Sequence, residues 1–182
     1  INKFETINIA VFCTGIHDPE SEKKLNSEKI REIMETNFFG TLNCIMSVNK
    51  YFKEKQSGHI SIVSSVAGYR GLPAASGYCA SKAALTSLAE SLYFDFKRYN
   101  VRVSLISPGF IKTPMTDKNK FPMPMIKSPE FAAEKMFNGL IKKNVFEIHF
   151  PFAFTFIMKL LKIMPNWMYF LIVGKGTKII KY

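Results

Sequence analysis

The sequence predicts an α/β fold built on a doubly wound parallel sheet. Three observations carry that prediction. Short runs rich in Ile, Val and Phe recur along the chain, as in strands covered on both faces. Stretches of about 20 residues with helical apolar spacing separate them, which demands parallel pairing through right-handed crossovers. Gly- and Ser-rich turns close the strands, where such sheets place their ligands.

The elements follow in order. Residues 6–13 (Thr-Ile-Asn-Ile-Ala-Val-Phe-Cys) form a strand ended by Thr14-Gly15, and Asp18-Pro19 opens a polar loop. Asn26 or Ser27 caps one long helix that ends near residue 53, with Ile30, Ile33, Met34, Phe38, Leu42 and Ile45 on its apolar stripe. Residues 59–65 are the second strand, followed by a Gly/Ala-rich loop over 66–76. A second long helix spans 77–98, and 101–106 is a third strand closed by Ser107-Pro108-Gly109. Ser128-Pro129-Glu130 starts a helix to about residue 142, since Pro suits a first turn. Residues 145–150 form the fourth strand.

Composition bounds the function. The 182 residues are 47% hydrophobic and 21% charged, which fits one globular domain and excludes a disordered or collagen-like chain. The net charge of +11 allows nucleic acid, an anionic membrane or an anionic cofactor as partner. The lysines are dispersed with no dense basic run, so no nucleic acid is expected. Cys13, Cys44 and Cys79 have no close pairing, which excludes a disulfide framework; all three are read as core residues or small buried thiols. His17, His59 and His149 lack ligand spacing, so no metal is expected and all three are read as surface or strand-edge residues. No secretory signal opens the chain, and the expected compartment is the cytoplasm, with room for membrane association.

Ser65, Tyr78 and Lys82 carry chemistry. Tyr78 and Lys82 are four apart on one helix face, and Ser65 ends a strand thirteen residues earlier. Together they fit carbonyl reduction. The alkoxide left by hydride addition needs a proton, and a phenol can give it. A lysine ammonium ~4 Å away would favour the phenolate by up to ~4 kcal/mol at an effective dielectric of ~20. A serine hydroxyl would hold the carbonyl oxygen.

The run Tyr78-Cys79-Ala80-Ser81-Lys82, with Ser65 in Ile-Val-Ser-Ser-Val-Ala-Gly, resembles the classical short-chain dehydrogenase/reductase family. Asn37 in Thr-Asn-Phe-Phe-Gly-Thr and the Ser107-Pro108-Gly109-Phe110-Ile111-Lys112-Thr113 turn extend the resemblance over about residues 6–150. It implies a Rossmann-type fold and a catalytic set of Asn37, Ser65, Tyr78 and Lys82. Tyr78 is then the acid/base, Lys82 lowers its pKa, and Asn37 holds a water in a proton relay. The resemblance also implies NAD or NADP as cofactor, held by Cys13, Thr14, Gly15, Tyr78, Lys82, Pro108, Gly109, Ile111 and Thr113. A homo-oligomer is implied too, through helix pairing at Ala80, Ser81, Ala83 and Ala84, although packing within one chain explains those small residues equally well.

Two departures stand out. The family's Asn-Asn-Ala-Gly is replaced by Phe12-Cys13-Thr14-Gly15, and no Gly-rich strand–turn–helix precedes Thr6. The first βαβαβ half of the fold is therefore expected to be missing, which leaves 1–150 as the C-terminal, catalytic part of the domain and the chain inactive without its cofactor-binding half. The Met- and Pro-rich loop 115–126 resembles a substrate lid and implies an apolar substrate.

The stretch 151–182 contains no acidic residue. On a helix Thr155, Lys159, Lys162 and Asn166 form a narrow polar face amid a wide apolar one, which fits either a helix lying in a membrane surface or one folded over the cleft or a dimer partner. Lys159, Lys162 and Pro165 argue against a spanning helix. The expected function is an NAD(P)-dependent oxidoreductase acting on an apolar carbonyl or alcohol; the alternatives are a non-catalytic binding or scaffold module and a peripheral membrane protein.

Overall fold

The computed structural model describes residues 5–142 and 144–177. Four strands, β1 (Ile9–Phe12), β2 (Gly58–Val63), β3 (Val101–Pro108) and β4 (Glu147–Phe150), form one sheet in the order β1-β2-β3-β4. Every pairing is parallel, with Ile9 opposite His59, Ile60 opposite Val103 and Ile106 opposite Ile148. Parallel neighbours need crossovers, and helices supply them.

Those helices are α1 (Pro19–Lys23), α2 (Ser27–Met34), α3 (Gly40–Lys55), α4 (Ser76–Lys97) and α5 (Pro129–Lys142). Asn26 caps α2, its side chain accepting from Lys29 N–H. The core lies between the sheet and α3 and α4, where Ile45, Phe52, Ile60, Ile62, Leu85 and Leu105 are buried. A second core, built on Val63, Ile106, Leu140, Ile148 and Phe150, holds α5 to β3 and β4.

The single helix expected over 26–53 is divided. A π-helical turn, Glu35–Phe39, separates α2 from α3, and Gly40 N–H donates to Glu35 O five residues back. A π turn inserts one residue and rotates the helix beyond it, a device found often at functional sites. Here it turns Asn37 and Thr41 into the interior. The loop expected at Asp18-Pro19 contains α1, whose N-cap is Asp18 and whose first residue is Pro19.

His59, expected at the surface or a strand edge, is buried within β2. Its Nε2–H donates to Ser104 Oγ at 2.8 Å, because the Ser104 hydroxyl itself donates to Val145 O. Burial and the nearby Arg102 charge push the imidazole down to about 4. Between pH 6.5 and 4 the unfolded chain therefore binds a proton that the folded chain refuses. Stability should fall by about 3 kcal/mol as pH drops through that window, at 1.36 kcal/mol per unit. Urea unfolding at pH 7 and pH 4 checks this, and His59→Gln should flatten that part of the profile.

Beyond β4 the chain forms α6 (Phe152–Ile163) and α7 (Asn166–Thr177), broken at Pro165 as expected. Arg70 ties the two together, donating from Nη1 to Leu161 O and Met164 O and from Nη2 to Asn166 Oδ1. A guanidinium thus satisfies carbonyls at the end of α6. Its plane also lies over Tyr169, 3.9 Å from the ring centroid. Among the described residues no helix is long and apolar enough to cross a membrane.

Candidate active site

The sheet brings the candidates to its carboxyl end. Ser65 follows β2 and caps a 3-10 turn, Val66–Gly68, its Oγ accepting from Ala67 N–H at 3.1 Å. Tyr78 and Lys82 lie in the first two turns of α4. That helix lies close against this segment: Ser64 Oγ donates to Lys82 O at 2.8 Å, and a Cβ on Gly68 would stand 2.8 Å from the same oxygen.

Ser65, Tyr78 and Gly109 all line one cavity of about 510 Å³. The rest of its wall is mostly apolar. Met115, Phe121 and Met123 come from the lid-like loop, Phe110 from the turn after β3, and Phe154 and Met158 from α6. The methionine wall expected at 115–126 is thus present at Met115 and Met123, whereas Met125 and Ile126 are exposed.

Lys82 sits behind the cavity and is only 4% exposed. One of its three donors goes to Val63 O at 3.0 Å. Burial pushes its ammonium down to about 8. Its nitrogen lies 5.8 Å from the Tyr78 ring centroid. The expected lowering of Tyr78 does not occur in this state. Burial dominates and pushes the phenol up to about 12, with the Ser65 hydroxyl pulling the other way. At neutral pH the Tyr78 phenol is therefore protonated.

Asn37 is fully buried, and its amide is used on protein partners. Oδ1 accepts from Ile16 N–H at 2.7 Å, while Nδ2 donates to Ile16 O and to Ser81 Oγ. The side chain pins the loop after β1 to α4. That loop carries Gly15, where a Cβ would stand 3.3 Å from Lys82 Nζ and 3.6 Å from Asn37 Oδ1. The bare glycine backbone keeps a gap open in front of the lysine.

Other candidates are placed differently. Cys13 is exposed, as is Cys44, so neither is the core residue expected. Thr14 is exposed beside Cys13. Ile111 packs against the Val63–Ile148 core, and Thr113 lies in a turn where its N–H donates to Thr116 Oγ1. Pro108 ends β3, and Gly109 N–H donates to Phe150 O. Cys79 is the small buried thiol expected; burial pushes it up to about 11.

Two residues escaped the sequence reading. His17 lines the cavity, its ring 4.6 Å from that of Tyr78. Its Nδ1 donates to Glu22 Oε1 at 2.8 Å, and Glu22 is buried. The second carboxylate oxygen accepts from Tyr78 N–H at 3.0 Å. Glu22 thereby fixes both the imidazole and the start of α4. The turn signal Asp18-Pro19 hinted at a capped helix there, but nothing local marks a partner 56 residues away. No cluster of three metal-ligating side chains occurs among the described residues.

Comparison with known proteins decides the family. The short chain dehydrogenase family model matches residues 1–122, two thirds of the chain. The chain belongs to the short-chain dehydrogenase family. It is 35% identical over 160 residues to an uncharacterized oxidoreductase of Myxococcus xanthus, covering 88% of this chain and 63% of that protein. It is 31% identical over 118 residues to a 3-oxoacyl-[acyl-carrier-protein] reductase of Thermotoga maritima, covering 65% of this chain and 48% of that one. The chain thus spans about half to two thirds of these relatives' length. Among solved structures it resembles a short chain dehydrogenase of Burkholderia cenocepacia in complex with NADP, with TM-score 0.77 and 24% identity over 94% of this chain and 73% of that one. A short-chain dehydrogenase from Streptomyces avermitilis superposes with TM-score 0.75 at 18% identity, covering 97% of this chain and 73% of that one. These likenesses show a Rossmann-type parallel sheet of the short-chain dehydrogenase kind.

Proposed function

We propose that this protein is an NAD(P)-dependent oxidoreductase that reduces a carbonyl on an apolar substrate, with Tyr78 as proton donor. One observation carries the reading: the Tyr78 and Ser65 side chains line the same cavity of about 510 Å³, whose other walls are largely apolar. The carbonyl oxygen is the one substrate atom that needs polar partners there. Ser65 Oγ orients that oxygen, and Tyr78 Oη delivers the proton it needs as it becomes a hydroxyl. Apolar walls exclude water and select an apolar body. Reduction is supported by the phenol's position at about 12. It is supported also by a relative described as a 3-oxoacyl reductase.

The site fits one end of a nicotinamide dinucleotide. Lys82 Nζ, with two donors unused among the described residues, lies beside the Gly15 backbone and 5.8 Å from the Tyr78 ring centroid, and with the Tyr78 hydroxyl these groups would match the hydroxyl groups of a ribose. When bound, that cofactor supplies the hydride. Lys82 holds the ribose and places a positive charge near Tyr78. Asn37 acts by pinning the 13–17 loop rather than by offering its side-chain amide to a relay. Residues 1–150 serve as the catalytic part, and α6 closes the cavity with Phe154 and Met158. Exposed Met46 and Phe94, on α3 and α4, support a homo-oligomer.

The test is Ser65→Ala in protein expressed from its whole reading frame. It should lower kcat for carbonyl reduction by about a hundredfold while leaving dinucleotide affinity unchanged. An unaltered kcat would overturn the assignment of Ser65 and the carbonyl site with it.

A further inference from the structure

The tail helices turn their polar groups toward the protein and their apolar groups outward. Lys159 Nζ donates to Glu147 Oε2 at 2.6 Å, and Glu147 also accepts from Ser107 and Tyr69. Thr155 is fully buried and bonded to His149 Nδ1 at 2.7 Å. Asn166 accepts from Arg70. The narrow polar stripe read from the sequence is thus largely consumed inside. Outside remain Phe152, Phe156, Leu160 and Ile163 of α6, then Trp167 and Phe170 of α7. Ile163 is 79% exposed and Trp167 70%. A contiguous apolar surface of this kind marks a contact site on a folded protein.

Charge selects the partner. Of the lysines on the two helices, Lys159 is paired with Glu147, which leaves the charges of Lys162 and Lys175, and the sequence has no Asp or Glu after Glu147 to offset them. A second copy would set like charges against each other, whereas an anionic surface matches them. Apolar bulk and an aromatic rim, with a few lysines along the flanks, are the features of a helix lying at a lipid interface. Each helix has 12 residues, about 18 Å, against a hydrocarbon core of ~30 Å. They can lie in the interface and cannot cross it.

We propose that the outer face of α6 and α7 docks on an anionic phospholipid bilayer. The inner faces of the same helices supply Phe154, Met158, Leu161 and Val173 to the cavity wall. Docking therefore sets the cavity beside the acyl region. Resting on the catalytic reading above, the substrate is then a carbonyl compound that partitions into lipid.

Trp167 is the only tryptophan of the chain, so its emission reports this face alone. Vesicles of phosphatidylcholine with phosphatidylglycerol should shift the emission to the blue, and bromine-labelled lipid should quench it. Phosphatidylcholine alone should do much less. Ile163→Glu with Phe170→Glu, both at exposed positions, should keep the circular dichroism and thermal midpoint yet lower vesicle partition by about tenfold or more. An emission unmoved by vesicles, equal partition into both vesicle types, or a blue shift that follows protein concentration without lipid would each overturn the proposal. The readout needs no turnover, so it stands apart from the catalytic reading.

Discussion

Tyr78→Phe should lower carbonyl turnover by about a thousandfold, the central range for losing a positioned proton donor. The fold should survive, because the change removes only the hydroxyl. The ring still packs 4.6 Å from His17, and the Tyr78 N–H bond to Glu22 comes from the backbone. Dinucleotide affinity should fall far less than turnover, since only one ribose contact goes with the hydroxyl while Lys82 and the Gly15 backbone stay in place. Steady-state kinetics of variant and wild type, with circular dichroism as control, measure this. The same chemistry sets a pH limb. Tyr78, at about 12, stays protonated through neutral pH, whereas Lys82 loses its charge above about 8. If the lysine charge assists, reduction should hold level below pH 8 and decline above it.

A large effect on stability is expected at Gly68. A Cβ there would meet Lys82 O at 2.8 Å, Lys82 C at 2.9 Å and Ser64 Oγ at 2.9 Å. Two of those atoms are backbone and cannot swing aside. Gly68→Ala must separate the 3-10 turn from α4, breaking the Ser64–Lys82 bond and shifting Ser65 relative to Tyr78. Overpacking of this kind costs about 3 kcal/mol. For a domain of this size that is a fall of about 10 °C in the thermal midpoint. Gly71→Ala is the internal control. Nothing lies within 4 Å of its Cβ, so the midpoint should stay within a degree or two.

What could be read from sequence followed period and local signals. The parallel sheet rested on apolar runs such as Ile-Ser-Ile-Val before helical spacing, and both patterns are local. That Ser65, Tyr78 and Lys82 meet at the carboxyl end of the sheet was legible because a strand end and a helix start have fixed places in such a fold. The tail's polar stripe had the right spacing, but its direction was not legible. That direction depends on Glu147, twelve residues before Lys159, and on Arg70, nearly a hundred before Asn166. The raised Tyr78 phenol was missed for a related reason. Pairing two charges at one distance omits desolvation, and here burial raises the phenol and lowers the ammonium. His59 and the His17–Glu22 pair escaped because a histidine's surroundings are tertiary. The π turn at Glu35–Phe39 left no mark that distinguishes it from an α-helix of the same composition.

The function proposed for the cavity beside Tyr78 is to hold a carbonyl group for reduction. It is tested most directly by turnover of a series of ketones of increasing acyl length, with NADH or NADPH, in protein from the whole reading frame. One alcohol should form per dinucleotide consumed, with kcat/KM rising along the series as the apolar walls fill. A folded protein that binds the dinucleotide yet reduces no member of the series would contradict it, and would leave the cavity as a binding site alone.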